Sequence, residues 1–258
     1  MPVEIMQQAA EKAGRLLLKR QPHLASVPIE SKGLHDFVTS VDRESEEMIA
    51  SYLEEHWPGV PCLAEESEAR KTGAAERWII DPLDGTTNYL HGYPCFSVSI
   101  AFQSGGRIQA GVVHDPVHGE TYRARAGGGA SLDGRPLQVS SVSSLDEALL
   151  VTGFPFRELD RLDAYLAGFR RLLQLAAGIR RDGSAALDLC HVGAGRCDGF
   201  WETGLSPWDV AAGGLVVQEA GGVVSDDEGG GDWLEGQRIV AATPGLHQAI
   251  LDALRESR

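Results

Sequence analysis

The chain of 258 residues has little cysteine, a shortage of basic residues and no long apolar run, and each lack argues against a class of function. Its four cysteines, Cys62, Cys95, Cys190 and Cys197, lie far apart and form no CxxC pair. That spacing speaks against a thiolate zinc site and against a secreted disulfide framework, and leaves reduced thiols as the expectation. Lys and Arg number 23 against 37 Asp and Glu, a formal net charge of −14, so no basic field exists to gather a phosphodiester backbone. Nucleic acid is not an expected partner. No window reaches the roughly 18 apolar residues of a membrane span. Glu4, Glu11, Lys12 and Arg15 interrupt residues 1–18, which therefore read as an amphipathic helix and not as a signal peptide. The expectation is a cytoplasmic protein that does not engage membranes.

What remains is ordinary globular chemistry, 43% hydrophobic and 23% charged, enough for one large core or two smaller ones. Apolar periodicity predicts helices over 2–20 and 40–56, with "SKGLHDFVTSVD" between them as polar loop. Short apolar runs at 61–65 and 77–81 read as strands that stop at acidic residues, and 96–139 alternates with period two between Gly-rich turns, an antiparallel meander. After the Ser-rich "VSSVSSLDEA" the pattern changes to strand and helix in turn, which places a boundary near residue 142. Strands are predicted at 148–152, 178–181, 198–202, 222–225 and 238–242, and helices over 158–176, 184–195, 207–221 and 244–256. The fold class is α/β in layers, with an antiparallel sheet in residues 1–142 and alternating strands and helices in 143–258.

The chemistry concentrates in "WIIDPLDGTTNYLHGYP", where an apolar run ends in Asp81 and Asp84 around Pro82. Proline cannot donate to a strand ladder, so the sheet is expected to end at Asp81, with Asp84-Gly85 as a turn and Thr86-Thr87 opening a short helix. Taken alone, Asp-Pro-x-Asp-Gly is a common polar turn. Three other segments make it more than that: "AEES" with Glu65 and Glu66, "SPWDVAAGG" with Asp209 in the first turn of a helix, and "TSVD" with Asp42 beside Thr39. If these converge, carboxylates about 4 Å apart at an effective dielectric near 20 repel by about 4 kcal/mol a pair, more than a marginally stable domain tolerates uncompensated. A cation must balance them. The donors are carboxylates, joined by the Leu83 carbonyl, all hard oxygens, so Mg2+ is favoured and Mn2+ can substitute. Two such ions clamp the attacking and leaving oxygens of an in-line displacement, which implies phosphate ester hydrolysis.

"AEES", "WIIDPLDGTTNYLHGYP", "TGFPF", "GSAALDLC" and "PWDVAAGGLVVQEAGG" occur in the order and form of the inositol monophosphatase family, and the sequence resembles that family over nearly its whole length. The resemblance implies an αβαβα sandwich, a homodimer, and a magnesium-dependent, lithium-sensitive sugar phosphatase acting on a small phosphorylated polyol, inositol 1-phosphate foremost. It implies that Glu65, Asp81 and the Leu83 carbonyl hold one metal, Asp81, Asp84 and Asp209 a second, and that a weaker third leans on Glu65. Thr86 with Asp42 behind it resembles the pair that orients and activates the attacking water, while the amides of Gly85 and Thr86 receive the phosphate. Gly183, Ser184, Ala185, Glu202 and Asp209 resemble the polyol contacts, and Lys32 and Asp36 a mobile loop near the third metal. Fructose 1,6-bisphosphate, histidinol phosphate and nucleotide-derived phosphates are the alternative substrates of related proteins, and some bacterial members are regulatory partners of transcription.

Rival motifs fare worse. A haloacid dehalogenase type of phosphatase places its aspartates two apart and leaves Glu65 unexplained, and no GxxxxGK[ST] phosphate loop occurs. Bland readings go to His91, His114 and His118 as turn or short-helix residues, to Trp78, Trp201 and Trp208 as core aromatics, and to Cys190 and Cys197 as small buried hydrophobes. "DRESEEM" reads as a solvated helix face beyond Asp42. Arg180 and Arg181 are open between a salt bridge at the mouth of the site and a contact to a second phosphate.

Overall fold

Helix α1 (Pro2–Arg20) buries Met6, Ala9, Ala10, Ala13 and Leu17, a single stripe at three- and four-residue spacing. In this computed structural model, residues 2–26, 29–33, 36–67, 74–156 and 159–256 are described, and within 25–39 the backbone alone. Strands β1 (Ile29–Gly33) and β2 (Asp36–Thr39) pair with each other in antiparallel fashion where the sequence reads as loop, because the segment lacks the apolar alternation that signals a strand. The side chains of Lys32, Asp36 and Thr39 lie outside the described part. Helix α2 (Ser40–His56) follows, then β3 (Cys62–Ala64), β4 (Glu76–Asp84), the short helix α3 (Thr86–Leu90), and the meander β5 (Ser97–Ser104), β6 (Arg107–Asp115), β7 (Glu120–Arg125), β8 (Gly129–Leu132) and β9 (Arg135–Pro136).

These seven strands form one sheet in sequence order. It is antiparallel except at its first edge, where β3 runs parallel to β4. The N-terminal sheet is therefore mixed, where an antiparallel sheet is expected from the sequence: β3 and β4 are not joined as a tight hairpin but pair in parallel. Downstream come β10 (Leu149–Thr152), α4 (Leu162–Leu175), β11 (Gly178–Arg180), α5 (Ala185–Gly193), β12 (Gly199–Thr203), α6 (Pro207–Glu219), β13 (Val223–Ser225), β14 (Arg238–Ala242) and α7 (His247–Arg255). Their strands make a second, mixed sheet of order β11-β10-β12-β14-β13.

The elements stack in five layers: α1 and α2, the seven-stranded sheet, α5 and α6, the five-stranded sheet, α4 and α7. Four apolar clusters fill the four gaps, and strand alternation distributes the residues between them. Trp78 and Ile80 face α1 and α2 while Ile79 faces α5 and α6; Phe200 faces the middle helices while Trp201 faces α4 and α7. Helix α6 is apolar on every side, as a helix between two sheets must be: Ala211, Ala212 and Leu215 pack on the large sheet, Val210 and Val217 on the small one.

Several bland readings hold. Trp78 and Trp201 are core aromatics, and Cys190 and Cys197 are buried thiols. Others need correction. His114 lies within β6, where its ring hydrogen-bonds Thr121 Oγ1 at 2.9 Å and packs over Gly14 of α1. In "DRESEEM", Ser45 and Glu46 are buried together with Asp42: Ser45 Oγ donates to Pro82 O at 2.9 Å, and Glu46 accepts from the Glu66 N–H at 2.8 Å. Periodicity assigned these polar residues to solvent because only the folded chain reveals the backbone they support.

The backbones of β6 and α6 approach closely where the large sheet meets the middle helices. A Cβ on Gly111 would stand 2.9 Å from both Cα and O of Ala212. Gly111→Ala must therefore push α6 off the sheet, and is expected to lower stability by about 1–3 kcal/mol, the usual range for overpacking. A denaturant midpoint unchanged by this substitution would show that the gap has slack.

Candidate active site

Strand β4 does not stop at Pro82. It continues to Asp84 through a bulge: Asp81 pairs with Ser99 and Asp84 with Ser97, so three steps on β4 match two on β5. In a regular strand, residues three apart point to opposite faces. The extra residue resets the alternation, since Leu83 packs toward α1 and α2 with Ile80, and Asp84 returns to the face of Asp81. Proline fits here because a bulge leaves one N–H without a ladder partner, and its carbonyl takes the Ser45 hydroxyl. The strand thus runs three residues past the predicted end, and that extension brings the two aspartates together.

Asp209 arrives from the other half of the chain at the third position of α6, behind Pro207. Its Oδ2 accepts from the Ser206 N–H at 2.6 Å, which ties the carboxylate to the helix N-terminus that favours its charge. Oxygens of Asp81, Asp84 and Asp209 all lie within 4.8 Å of one another, and all three residues are buried. Each is held by short local bonds. Asp81 Oδ1 accepts from the Leu83 N–H at 3.0 Å, and Asp84 Oδ2 from Ser184 Oγ at 2.6 Å and the Ala186 N–H at 2.8 Å. Glu65 stands outside that 4.8 Å set. Its backbone N–H bonds to Ile80 O at 3.3 Å, and its charge bears on Asp81.

Burial pushes the Asp81 carboxyl well above the usual range, and the charges of Glu65, Asp84 and Asp209 push it further, against the hydrogen bond from the Leu83 N–H. Burial and Asp209 likewise raise Asp84 to about 7, against the bonds from Ser184, Ala186 and Ala185. Three acidic groups from two elements, β4 and α6, are thus held close together, and their charges disfavour the ionisation of Asp81 and Asp84. Among side-chain constellations, this fits a hard divalent cation: the donors are oxygens alone, buried, and already fixed by bonds that leave other lone pairs open.

Gly85, with φ of 97°, turns the chain from β4 into α3, and a Cβ there would meet the carbonyls of Cys95 and Gly183 near 3 Å. Thr86 follows. Its Oγ1 stands 3.1 Å from Leu83 O and 3.3 Å from Oδ1 of buried Asp42, so the expected Thr86–Asp42 pair is formed. Leu83 O is partly engaged by Thr86 but keeps a second lone pair for a ligand. Asn88 closes the turn, donating to Cys95 O at 2.7 Å and Asp182 O at 2.8 Å.

A cavity of about 150 Å3 opens beside this cluster, lined by Asp84, Asp209, Gly183, Ser184, Ala185 and Glu202 together with Phe154, Phe156 and Arg181. Glu202 lies against Gly153, whose missing Cβ makes room for its carboxylate. Every residue read from the sequence as a polyol contact thus borders one space. The wall of Phe154, Phe156 and Arg181 is an addition: the guanidinium sits 5.6 Å and 5.2 Å from the two ring centroids. "TGFPF" carries the signal for the aromatics, whereas Arg181 could be placed only by folding. Arg180 points elsewhere, its Nη1 donating to its own neighbour Ile179 O at 3.2 Å.

Fold and site together define a layered α/β protein with an acidic cleft whose oxygen donors suit a divalent ion. The sequence profile of the inositol monophosphatase family spans residues 2–258. The chain belongs to the inositol monophosphatase family, a family of phosphatases. Nus factor SuhB of Pseudomonas aeruginosa is 47% identical over 258 residues, covering 98% of this chain and 95% of that protein. The inositol-1-monophosphatase of Mesorhizobium japonicum is 43% identical over 255 residues, covering 98% and 96%. The crystal structure of the extragenic suppressor protein suhB from Bartonella henselae matches with a TM-score of 0.94 at 42% identity, covering 98% of each chain.

The raised Asp84 carboxyl gives a pH signature. A group whose folded pKa lies above its unfolded value of about 3.9 favours the fold below that value and loses this contribution as pH rises through about 7. In metal-free protein, Asp84→Asn should therefore raise the melting temperature at pH 8, where the native charge is repelled, and should lose most of that advantage at pH 5. An equal difference at both pH values, measured by thermal unfolding in chelator, contradicts the repulsion.

Proposed function

We propose that this chain is a Mg2+-dependent phosphomonoesterase of small polyol phosphates, with inositol 1-phosphate the leading substrate, working as a homodimer in the cytoplasm. The observation that carries this reading is the convergence of Asp81, Asp84 and Asp209 within 4.8 Å. Asp81, Asp84 and Asp209, with Glu65 and the Leu83 carbonyl, would hold the ions, and Mn2+ could replace Mg2+. When bound, such ions supply positive charge that neutralises the phosphate and lowers the pKa of water. Residues 1–142 contribute most of these ligands, and residues 143–258 contribute Asp209 and the polyol side.

The rest is work for the protein's own groups. The first N–H groups of a helix have no partner within it, so the amides of Gly85 and Thr86 are suited to receive a phosphoryl oxygen. Thr86 Oγ1 accepts a hydrogen bond from the attacking water while its own proton points at Asp42 Oδ1, so the pair holds one lone pair of the water toward phosphorus and takes up its proton. Hydrolysis breaks the bond between phosphorus and the ester oxygen; the water oxygen joins phosphorus and the alcohol leaves with a proton. Glu202 and Ser184 accept or donate to the hydroxyls of the departing polyol from the cavity wall. Phe154 and Phe156 offer that wall an apolar, water-excluding side.

A second reading rests on the relatives named Nus factor SuhB, and assigns the chain a role as a protein partner in transcription. Retention of all the acidic residues favours the phosphatase. Phosphate release from inositol 1-phosphate should require Mg2+, stop with chelator, and exceed release from fructose 1,6-bisphosphate, histidinol phosphate and adenosine 3',5'-bisphosphate. No release from any of them in excess Mg2+ would leave the partner role standing. Thr86→Ala should cut kcat by about 10²–10⁴-fold, the usual range for a lost acid–base contact. Glu202→Gln should change the preference among polyol esters more than the Mg2+ requirement; equal loss on every ester would remove Glu202 from the polyol site.

A further inference from the structure

Helix α5 carries a second constellation, one turn beyond the residues that bond Asp84. Asp188 and His191, three residues apart, share one helical face, and Asp182 reaches the same point from the turn before the helix. One ligand atom from each of the three lies within 4.8 Å of the other two. Asp188 is 1% exposed, and its Oδ1 has no hydrogen-bond partner among the described residues. A buried carboxylate oxygen without a partner costs free energy, and in a cluster with a carboxylate and an imidazole the natural partner is a cation.

We propose that Asp182, Asp188 and His191 form a divalent transition-metal site, separate from the catalytic cluster, that takes Zn2+ in preference to Mg2+. Two carboxylate oxygens and an imidazole nitrogen are a borderline donor set, which suits Zn2+ and leaves a coordination position for water, whereas Mg2+ prefers oxygen alone. Bonds of ~2.1 Å set ligand atoms roughly 3.4 Å apart in a tetrahedron, so side-chain rotation suffices to close the 4.8 Å set. The surroundings agree in sign. Burial raises the Asp188 carboxyl, and so do Glu202, Asp182 and Asp84, opposed by Arg181. Burial and Arg196 hold the His191 imidazole below its ordinary pKa, in the neutral form that ligates. A cavity of about 470 Å3 bordered by Asp182, His191 and Arg196 gives an ion access from solvent.

The site would cross-link the turn at Asp182 to α5, whose first turn presents Ala186 N–H and Ser184 Oγ to Asp84. It would thus brace the catalytic cluster without touching substrate.

Calorimetric titration of the full-length protein with Zn2+, in excess Mg2+ to occupy the catalytic ligands, tests this independently of turnover. One Zn2+ per chain is expected, with binding at least ~10-fold weaker in His191→Gln and in Asp188→Asn, and unaltered in Asp209→Asn. Zn2+ should also raise the melting temperature of wild type and not of His191→Gln. His191→Gln changes a half-buried ring and keeps the test open should Asp188→Asn fail to fold. The proposal is overturned by absence of Zn2+ uptake, by uptake unchanged in His191→Gln, or by uptake that disappears with Asp209→Asn.

Discussion

The constraint on which this structure depends is the mutual repulsion of three buried carboxylates. Asp81, Asp84 and Asp209 come from a strand bulge and a helix start, in parts of the chain over 120 residues apart in sequence, yet their oxygens lie within 4.8 Å. Burial alone disfavours each charge, and proximity adds to that cost. Among the described residues, the largest influences on Asp81 and Asp84 are burial, other carboxylates and hydrogen-bond donors. The acids are held by hydrogen bonds from Leu83, Ser184, Ala186 and Ser206. A core that spends stability in this way is organised for a counter-charge that comes from outside the chain.

The five layers explain how so many element ends meet at one place. β4 ends at the upper edge of the large sheet, α5 and α6 begin in the layer directly over it, and β12 with Glu202 lies in the sheet beyond. The middle helices must fit between two sheets, which is why small residues recur in "PWDVAAGGLVV": Gly213 lies on Leu189 of α5, and Ala212 on Gly111 of β6. Close packing of that layer is what holds Asp209 at a fixed distance from β4. Position in the stack and chemistry of the site are therefore one problem, solved by the same residues.

Much of this is legible from the residues in order. The helices at 2–20 and 40–56 match their predicted bounds, and the strands and helices after residue 142 agree within a few residues, because each has a long apolar stripe or a clear cap. The acidic positions are also legible, since burying four or five of them beside apolar runs makes sense only around an ion. What could not be read is whatever depends on partners distant in sequence. The bulge at Pro82 is set by pairing with Ser97 and Ser99, the parallel edge by the pairing of β3 with β4, and the burial of Ser45 and Glu46 by backbone groups near Pro82 and Glu66. Arg181 finds its place over Phe154 and Phe156 only when two loops meet, and the Asp182, Asp188 and His191 group has no motif at all.

The most direct test of the central claim is a crystal structure of the protein soaked with Mn2+, with anomalous scattering used to locate the ions. At least one strong anomalous peak is expected at coordination distance from oxygens of Asp81, Asp84 and Asp209 together. Peaks elsewhere only, with these three side chains ordered and undisplaced, would contradict it.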